Sequence, residues 1–170
     1  MKDIRLLVLD VDGTLTDGKI YMGAEGEVCK AFSIKDGLGL RLLADSGITL
    51  AILTGRESQI VRNRAAELDI DHVIQNIQNK PEALRRLCQE LSIPLEETGF
   101  MGDDLIDLPA MELCGLTICP CDAAREVRAR ADFVSDLPGG AGAARQFAER
   151  YLDERGLWAP LAARRFGVKL

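Results

Sequence analysis

The chain has 170 residues, 47% hydrophobic and 28% charged, enough for one compact domain with its own core. Its net charge is −6 and its Lys and Arg residues are scattered, so the basic footprint that binds nucleic-acid backbones is missing. No apolar run approaches the roughly 20 residues that span a bilayer, and Met1–Arg5 leads directly into a strand with no room for a secretory leader. The expectation is a cytoplasmic protein without nucleic-acid or membrane partners. The five cysteines, Cys29, Cys88, Cys114, Cys119 and Cys121, form no C-x-x-C pair and are expected as reduced structural thiols.

The first predicted strand is Leu6–Leu9, a continuous apolar run that ends at Asp10. Lys19–Phe32 then reads as a β-hairpin: Ile20-Tyr21-Met22, a Gly-containing turn over Gly23–Glu27, and Val28–Phe32. It is either a surface hairpin or a flap beside the end of the first strand. A helix over about Gly37–Asp45 precedes a strand at Thr49–Leu53 and a helix over about Glu57–Leu68. A strand at Val73–Ile74 follows, then a helix over Pro81–Leu91 with proline in its first turn. Gly99–Met101, Leu116–Cys119 and Phe133–Val134 complete the strands. Helices over about Leu108–Leu113, Ala123–Arg130 and Ala141–Glu154 lie between and after them. His72 begins a strand and reads as structural.

Strands that are apolar throughout are covered on both faces, as in a parallel sheet. Strand–helix alternation predicts an α/β fold, a doubly wound parallel sheet in one domain over residues 1–155. The hairpin, about residues 19–32, is an insert, and residues 156–170 form a C-terminal tail. Ligands of such sheets bind beyond the carboxyl ends of the strands.

Four signals fall at those ends. Asp10-Val11-Asp12-Gly13-Thr14 places two carboxylates after the first strand, where the chain must turn for both to reach one site. One can attack phosphorus while the other donates a proton to the departing alkoxide; a structural or metal-only acidic pair is the alternative. Thr54-Gly55-Arg56 follows the second parallel strand and reads as a phosphate-binding turn or a helix cap. Lys80 opens a helix, where it opposes the helix dipole; a phosphoryl oxygen or Asp10 would offset that, and a solvated lysine is the bland reading. Gly102-Asp103-Asp104-Leu105-Ile106-Asp107 clusters acids suited to a hard cation such as magnesium, with Asp107 read as the cap of the next helix. Together these supply the positioning and charge neutralisation that phosphoryl transfer needs.

In order, these four segments resemble the motifs of the haloacid dehalogenase superfamily. The resemblance implies Asp10 as nucleophile, Asp12 as general acid/base, Thr54 and Lys80 as phosphoryl binders, and Mg2+ held by Asp10, the Asp12 carbonyl and Asp103. From about Ile4 to Leu152 the chain is also similar to the 3-deoxy-D-manno-octulosonate 8-phosphate phosphatases of that superfamily. Asp17-Gly18-x-Ile20-Tyr21, Phe32-x-x-x-Asp36-Gly37-x-Gly39 and Gly139-Gly140-x-Gly142-Ala143 carry this likeness. It implies a capless homotetramer that hydrolyses a small phosphorylated sugar acid in lipopolysaccharide biosynthesis. By position, Asp12, Ser33, Ile34, Lys35, Asp36, Gly37, Arg41, Gly55, Arg56, Arg64 and Lys80 would contact substrate, some of Ser33–Gly37, Arg41, Arg56 and Arg64 reaching a neighbouring subunit's site.

Arginine recognises carboxylate through a bidentate fork, which suits Arg41, Arg56 and Arg64 to a sugar acid; surface charge is the alternative for Arg41 and Arg64. No residues remain for a cap domain, so a neighbouring subunit is the expected cover. A phosphatase of a nine-carbon sugar acid phosphate is the nearest competing reading. A phospho-acceptor signalling domain is another, but its acceptor Asp would sit on the third strand.

Overall fold

The computed structural model describes residues 1–169. Six strands form one parallel sheet: β1 (Leu6–Leu9), β4 (Thr49–Leu53), β5 (His72–Ile74), β6 (Thr98–Met101), β7 (Leu116–Cys119) and β8 (Phe133–Val134). Their order is β5-β4-β1-β6-β7-β8, so β1 lies inside the sheet, with β4 and β6 as its neighbours. Every β1 residue is fully buried, because alternate side chains enter two separate cores. Leu7 and Leu9 pack with Leu40, Leu43, Val61, Phe147 and Leu161 of helices α1 (Ile34–Asp45), α2 (Gln59–Glu67), α6 (Ala143–Asp153) and α7 (Trp158–Phe166). Leu6 and Val8 pack with Leu84, Leu87, Met111 and Val127 of α3 (Lys80–Leu91), α4 (Leu108–Met111) and α5 (Arg125–Arg128). The expected doubly wound parallel sheet is present.

The antiparallel pair β2 (Tyr21–Gly23) and β3 (Gly26–Cys29) stands apart from the sheet as the expected hairpin. Its second strand starts earlier than the sequence suggests and stops before Lys30. Three helix boundaries also differ. Ser33 caps α1 by accepting the Asp36 amide at 3.2 Å, so that helix begins three residues sooner. The next helix starts at Gln59 with Ser58 as its cap residue, which removes Thr54 from any capping role. The segment after Gly156, read as a tail, contains α7, which packs on α1 and α6 of its own chain. There Leu161 and Ala162 are buried, the Arg145 guanidinium lies 4.6 Å from the Trp158 ring centre, and Arg165 pairs with Asp45 at 2.6 Å. All five cysteines are free thiols, and burial pushes Cys119 up to about 11 and Cys114 up to about 12.

Candidate active site

The site lies where β1 ends between β4 and β6, the point at which the sheet order reverses. Asp10 continues β1, its amide donating to the Met101 carbonyl at 2.9 Å. The chain then coils tightly, with the Thr14, Leu15 and Thr16 amides all directed at the Val11 carbonyl. Gly13 permits this coil at φ +96°, a region that side chains with a Cβ rarely occupy. Gly139 packs so closely that a Cβ there would lie 1.9 Å from the Gly13 carbonyl oxygen, which explains why a glycine-rich segment distant in sequence borders the turn.

Lys80 projects from the first turn of α3 and is 3% exposed. Its ammonium donates to Asp10 Oδ1 at 2.6 Å and to Asp107 Oδ1 at 2.5 Å. Burial alone would weaken its hold on the proton, but the Asp10 and Asp107 charges outweigh that and raise its pKa above the ordinary value. Asn79 caps α3 by accepting the Glu82 amide at 3.2 Å, so the helix tolerates a cation in its first turn.

Asp107, expected as a helix cap, makes no such bond and is fully buried. Its Oδ2 instead accepts the Asp103 and Asp104 amides at 3.0 and 3.2 Å, while its Oδ1 holds Lys80. Asp107 therefore ties the loop after β6 to the lysine. Asp103 accepts the Thr14 hydroxyl at 3.1 Å, joining that loop to the β1 turn.

Carboxylate oxygens of Asp10, Asp103 and Asp107 all lie within 4.8 Å of one another. Burial, then the Asp107 charge, pushes the Asp10 carboxyl up to about 8; the same two causes push Asp103 up to about 7. Lys80 alone does not balance this negative charge. A set of hard oxygen donors with excess charge fits a divalent cation such as magnesium. Since both Asp107 oxygens are engaged, Asp10 and Asp103 are the side chains positioned to ligate it.

Asp12 lies at the edge of this cluster, 20% exposed. Its Oδ1 accepts from Lys30, and its Oδ2 lies 3.8 Å from Arg56 Nε. Lys30 is the residue the sequence reading overlooked; an isolated lysine at a hairpin end reads as solvated. Glu27, also on the hairpin, pairs with Lys30 and accepts the Ser58 hydroxyl at 2.6 Å. Thr54 is buried at the end of β4, its amide bonded to the Ile74 carbonyl at 3.0 Å, and Gly55-Arg56 follow it toward Asp12.

The remaining expected substrate contacts gather at the start of α1. Ile34 and Lys35 are exposed there, Gly37 is buried, and Ser33 is engaged as the α1 cap. Asp36 is a structural tie: its two oxygens accept the Gly142 and Arg145 amides at 3.1 and 2.8 Å, capping α6. Arg64 braces the same region, donating to the Ser33 carbonyl at 3.0 Å and pairing with Glu67 at 2.9 Å. Arg41 pairs with Asp69 at 2.9 Å. The three candidate arginines thus separate. Arg56 joins Asp12, whereas Arg41 and Arg64 line a cleft with Arg165 and Phe166.

A family model for haloacid dehalogenase-like hydrolases matches residues 72–145. The chain is 45% identical over 155 residues to the 3-deoxy-D-manno-octulosonate 8-phosphate phosphatase KdsC of Escherichia coli K12, spanning 91% of this chain and 82% of that one. A Moraxella catarrhalis 3-deoxy-D-manno-octulosonate 8-phosphate phosphatase, solved with magnesium, phosphate and KDO, superposes with TM-score 0.90 at 42% identity over 95% of this chain and 94% of that chain. The cobalt-bound phosphatase of Haemophilus influenzae gives TM-score 0.88 at 38% identity over 91% and 90%. An aspartate-bearing strand end, a buried lysine and a carboxylate cluster at one switch point agree with these likenesses: the chain belongs to the haloacid dehalogenase-like hydrolases, among the 3-deoxy-D-manno-octulosonate 8-phosphate phosphatases, and is a phosphomonoester hydrolase.

Proposed function

We propose that the protein hydrolyses 3-deoxy-D-manno-octulosonate 8-phosphate to the free sugar acid and phosphate, with magnesium, through an aspartyl phosphate on Asp10. The observation that carries this reading is the buried Asp10 carboxylate, held 2.6 Å from Lys80 Nζ beside Asp103. One Asp10 oxygen attacks phosphorus in line. The bond from phosphorus to the sugar oxygen breaks, and that oxygen takes a proton from the Asp12 carboxyl. Water then attacks phosphorus and gives its proton to the Asp12 carboxylate. The bond from phosphorus to Asp10 breaks and phosphate leaves.

Lys80 and Thr54 bind phosphoryl oxygens, while Arg56 meets the carboxylate of the sugar acid. Asp10, Asp103 and the Asp12 carbonyl would hold magnesium, which would neutralise charge on the phosphoryl group. The product would enter lipopolysaccharide biosynthesis in the cytoplasm. A homotetramer is part of the reading, because Met22 and Val28 of the hairpin are 63% and 61% exposed apolar side chains beside an uncapped site. Light scattering at micromolar concentration checks that assembly; a monomer would count against it.

The decisive assay is phosphate release from eight- and nine-carbon sugar acid phosphates, with and without chelator, by native protein and Asp10→Asn. Activity should require magnesium, favour the eight-carbon substrate and vanish in the variant. Equal phosphate release by Asp10→Asn would refute the mechanism, and faster turnover of the nine-carbon compound would refute the substrate.

A further inference from the structure

Lys30 follows β3 directly, and its side chain, only 1% exposed, ends between two carboxylates. Nζ donates to Asp12 Oδ1 and lies 2.7 Å from Glu27 Oε1. The other Glu27 oxygen accepts the Ser58 hydroxyl at 2.6 Å, and the Ser58 amide donates to Gln75 Oε1 at 2.8 Å. A continuous series of polar contacts therefore joins the hairpin, Asp12 and the segment after β4. An ammonium leaves water only where partners replace its hydration, so a lysine this enclosed is committed to them.

Asp12 has a second cation on its other oxygen, and the two differ. Arg56 is 49% exposed and 3.8 Å away, loosely held and open to an incoming anion. Lys30 is enclosed and braced by Glu27. When a substrate carboxylate draws Arg56 off, Lys30 remains to hold Asp12.

We propose that Lys30 is a positioning residue for Asp12. By occupying Oδ1 it fixes the side-chain rotamer and reserves Oδ2, on the Arg56 side, as the oxygen that carries the proton. That proton passes from Oδ2 to the ester oxygen as the bond to phosphorus breaks, and Oδ2 later receives the proton of the attacking water. The assignment rests on Asp12 being the general acid/base of the proposed reaction. It also gives the hairpin a task besides covering the site: delivering the strut that orients the acid.

The test compares native protein, Lys30→Met, Lys30→Gln, Lys30→Arg and Asp12→Asn on two substrates. The departing alkoxide of 3-deoxy-D-manno-octulosonate 8-phosphate needs a proton, whereas the phenolate of 4-nitrophenyl phosphate leaves without one. In Lys30→Met the ratio of kcat/KM on the sugar phosphate to kcat/KM on the aryl phosphate, which reports formation of the aspartyl phosphate and not its shared hydrolysis, should fall about 10²-fold, the contribution of a well-placed general acid. Asp12→Asn should show the same selectivity, and Lys30→Arg should recover most of the ratio. Where Lys30→Met does not fold, Lys30→Gln, which is neutral and one bond too short to reach both Asp12 and Glu27, carries the comparison with a fall of the same sign expected. An unchanged ratio, or equal loss on both substrates, would overturn the role assigned to Lys30. Native protein inactive on both substrates, or Asp12→Asn with an unchanged ratio, would instead sink the mechanism on which it rests.

Discussion

Gly13→Ala would disturb the Asp103 end of the site, where magnesium is proposed to bind, without altering an ionisable group. Gly13 holds φ at +96°, and a Cβ there would lie 2.1 Å from Asp103 Oδ2 and 2.6 Å from its Cγ. Ordinary contact begins near 3.4 Å, so the carboxylate must retreat by about 1.3 Å and release the Thr14 hydroxyl now at 3.1 Å. Backbone strain at a positive φ costs about 1–3 kcal/mol, which lowers the Tm of a domain this size by roughly 2–12 °C. Displacing a reacting constellation by about 1 Å costs on the order of 10²-fold in rate. Phosphate release should be measured against magnesium concentration, alongside thermal unfolding. Turnover should fall about 10²-fold at saturating metal, and half-maximal activity should need more magnesium. A lower Tm with unaltered turnover and metal dependence would show that the Asp103 carboxylate is not where the reaction uses it.

Asp36→Ala leaves the Gly142 and Arg145 amides without their acceptor, at about 1–3 kcal/mol each, so urea denaturation should show a stability loss of about 2–6 kcal/mol. Unchanged stability with a raised KM would make Asp36 a substrate contact instead. In chelator, the folded carboxyls of Asp10 and Asp103 keep their protons up to about 8 and about 7, against an ordinary value of 3.8. The folded state therefore binds protons that the unfolded chain has released. This contribution to stability is full below about pH 4 and is lost as pH rises toward about 8. Added magnesium should accordingly raise Tm more at pH 8 than at pH 5, and equal increments at both pH values would contradict the electrostatic account.

The sheet was legible because its strands are short, mostly apolar runs, buried on both faces in β1, β4, β6 and β7 and partly buried in the outer strands β5 and β8. Leu6–Leu9, Thr49–Leu53, Leu116–Cys119 and Phe133–Val134 match the expected strands residue for residue. Helix starts were less legible. Ser33 and Ser58 each precede a helix whose first turn lacks apolar periodicity, so the predicted starts fell late at Gly37 and early at Glu57. Asp10, Asp12, Lys80 and Asp103 stood out because chemistry-bearing side chains follow strands at a parallel sheet's carboxyl edge. Asp107 was visible but misread, since an acid before a helix is far more often a cap than the partner of a lysine 27 residues away. Helix α7 was missed because its apolar residues stand in a segment without strand context.

By itself the sequence determined where strands and acids fall, because burial on both faces and acid spacing are written along the chain. Tertiary structure alone decided which cation each acid holds: Lys80 with Asp10 and Asp107, Lys30 with Asp12, and Arg56 rather than Arg41 or Arg64 beside the site. Ion pairing acts over a few ångströms of space and depends on how the hairpin and loops return to β1. Nothing in the local order of residues encodes that return.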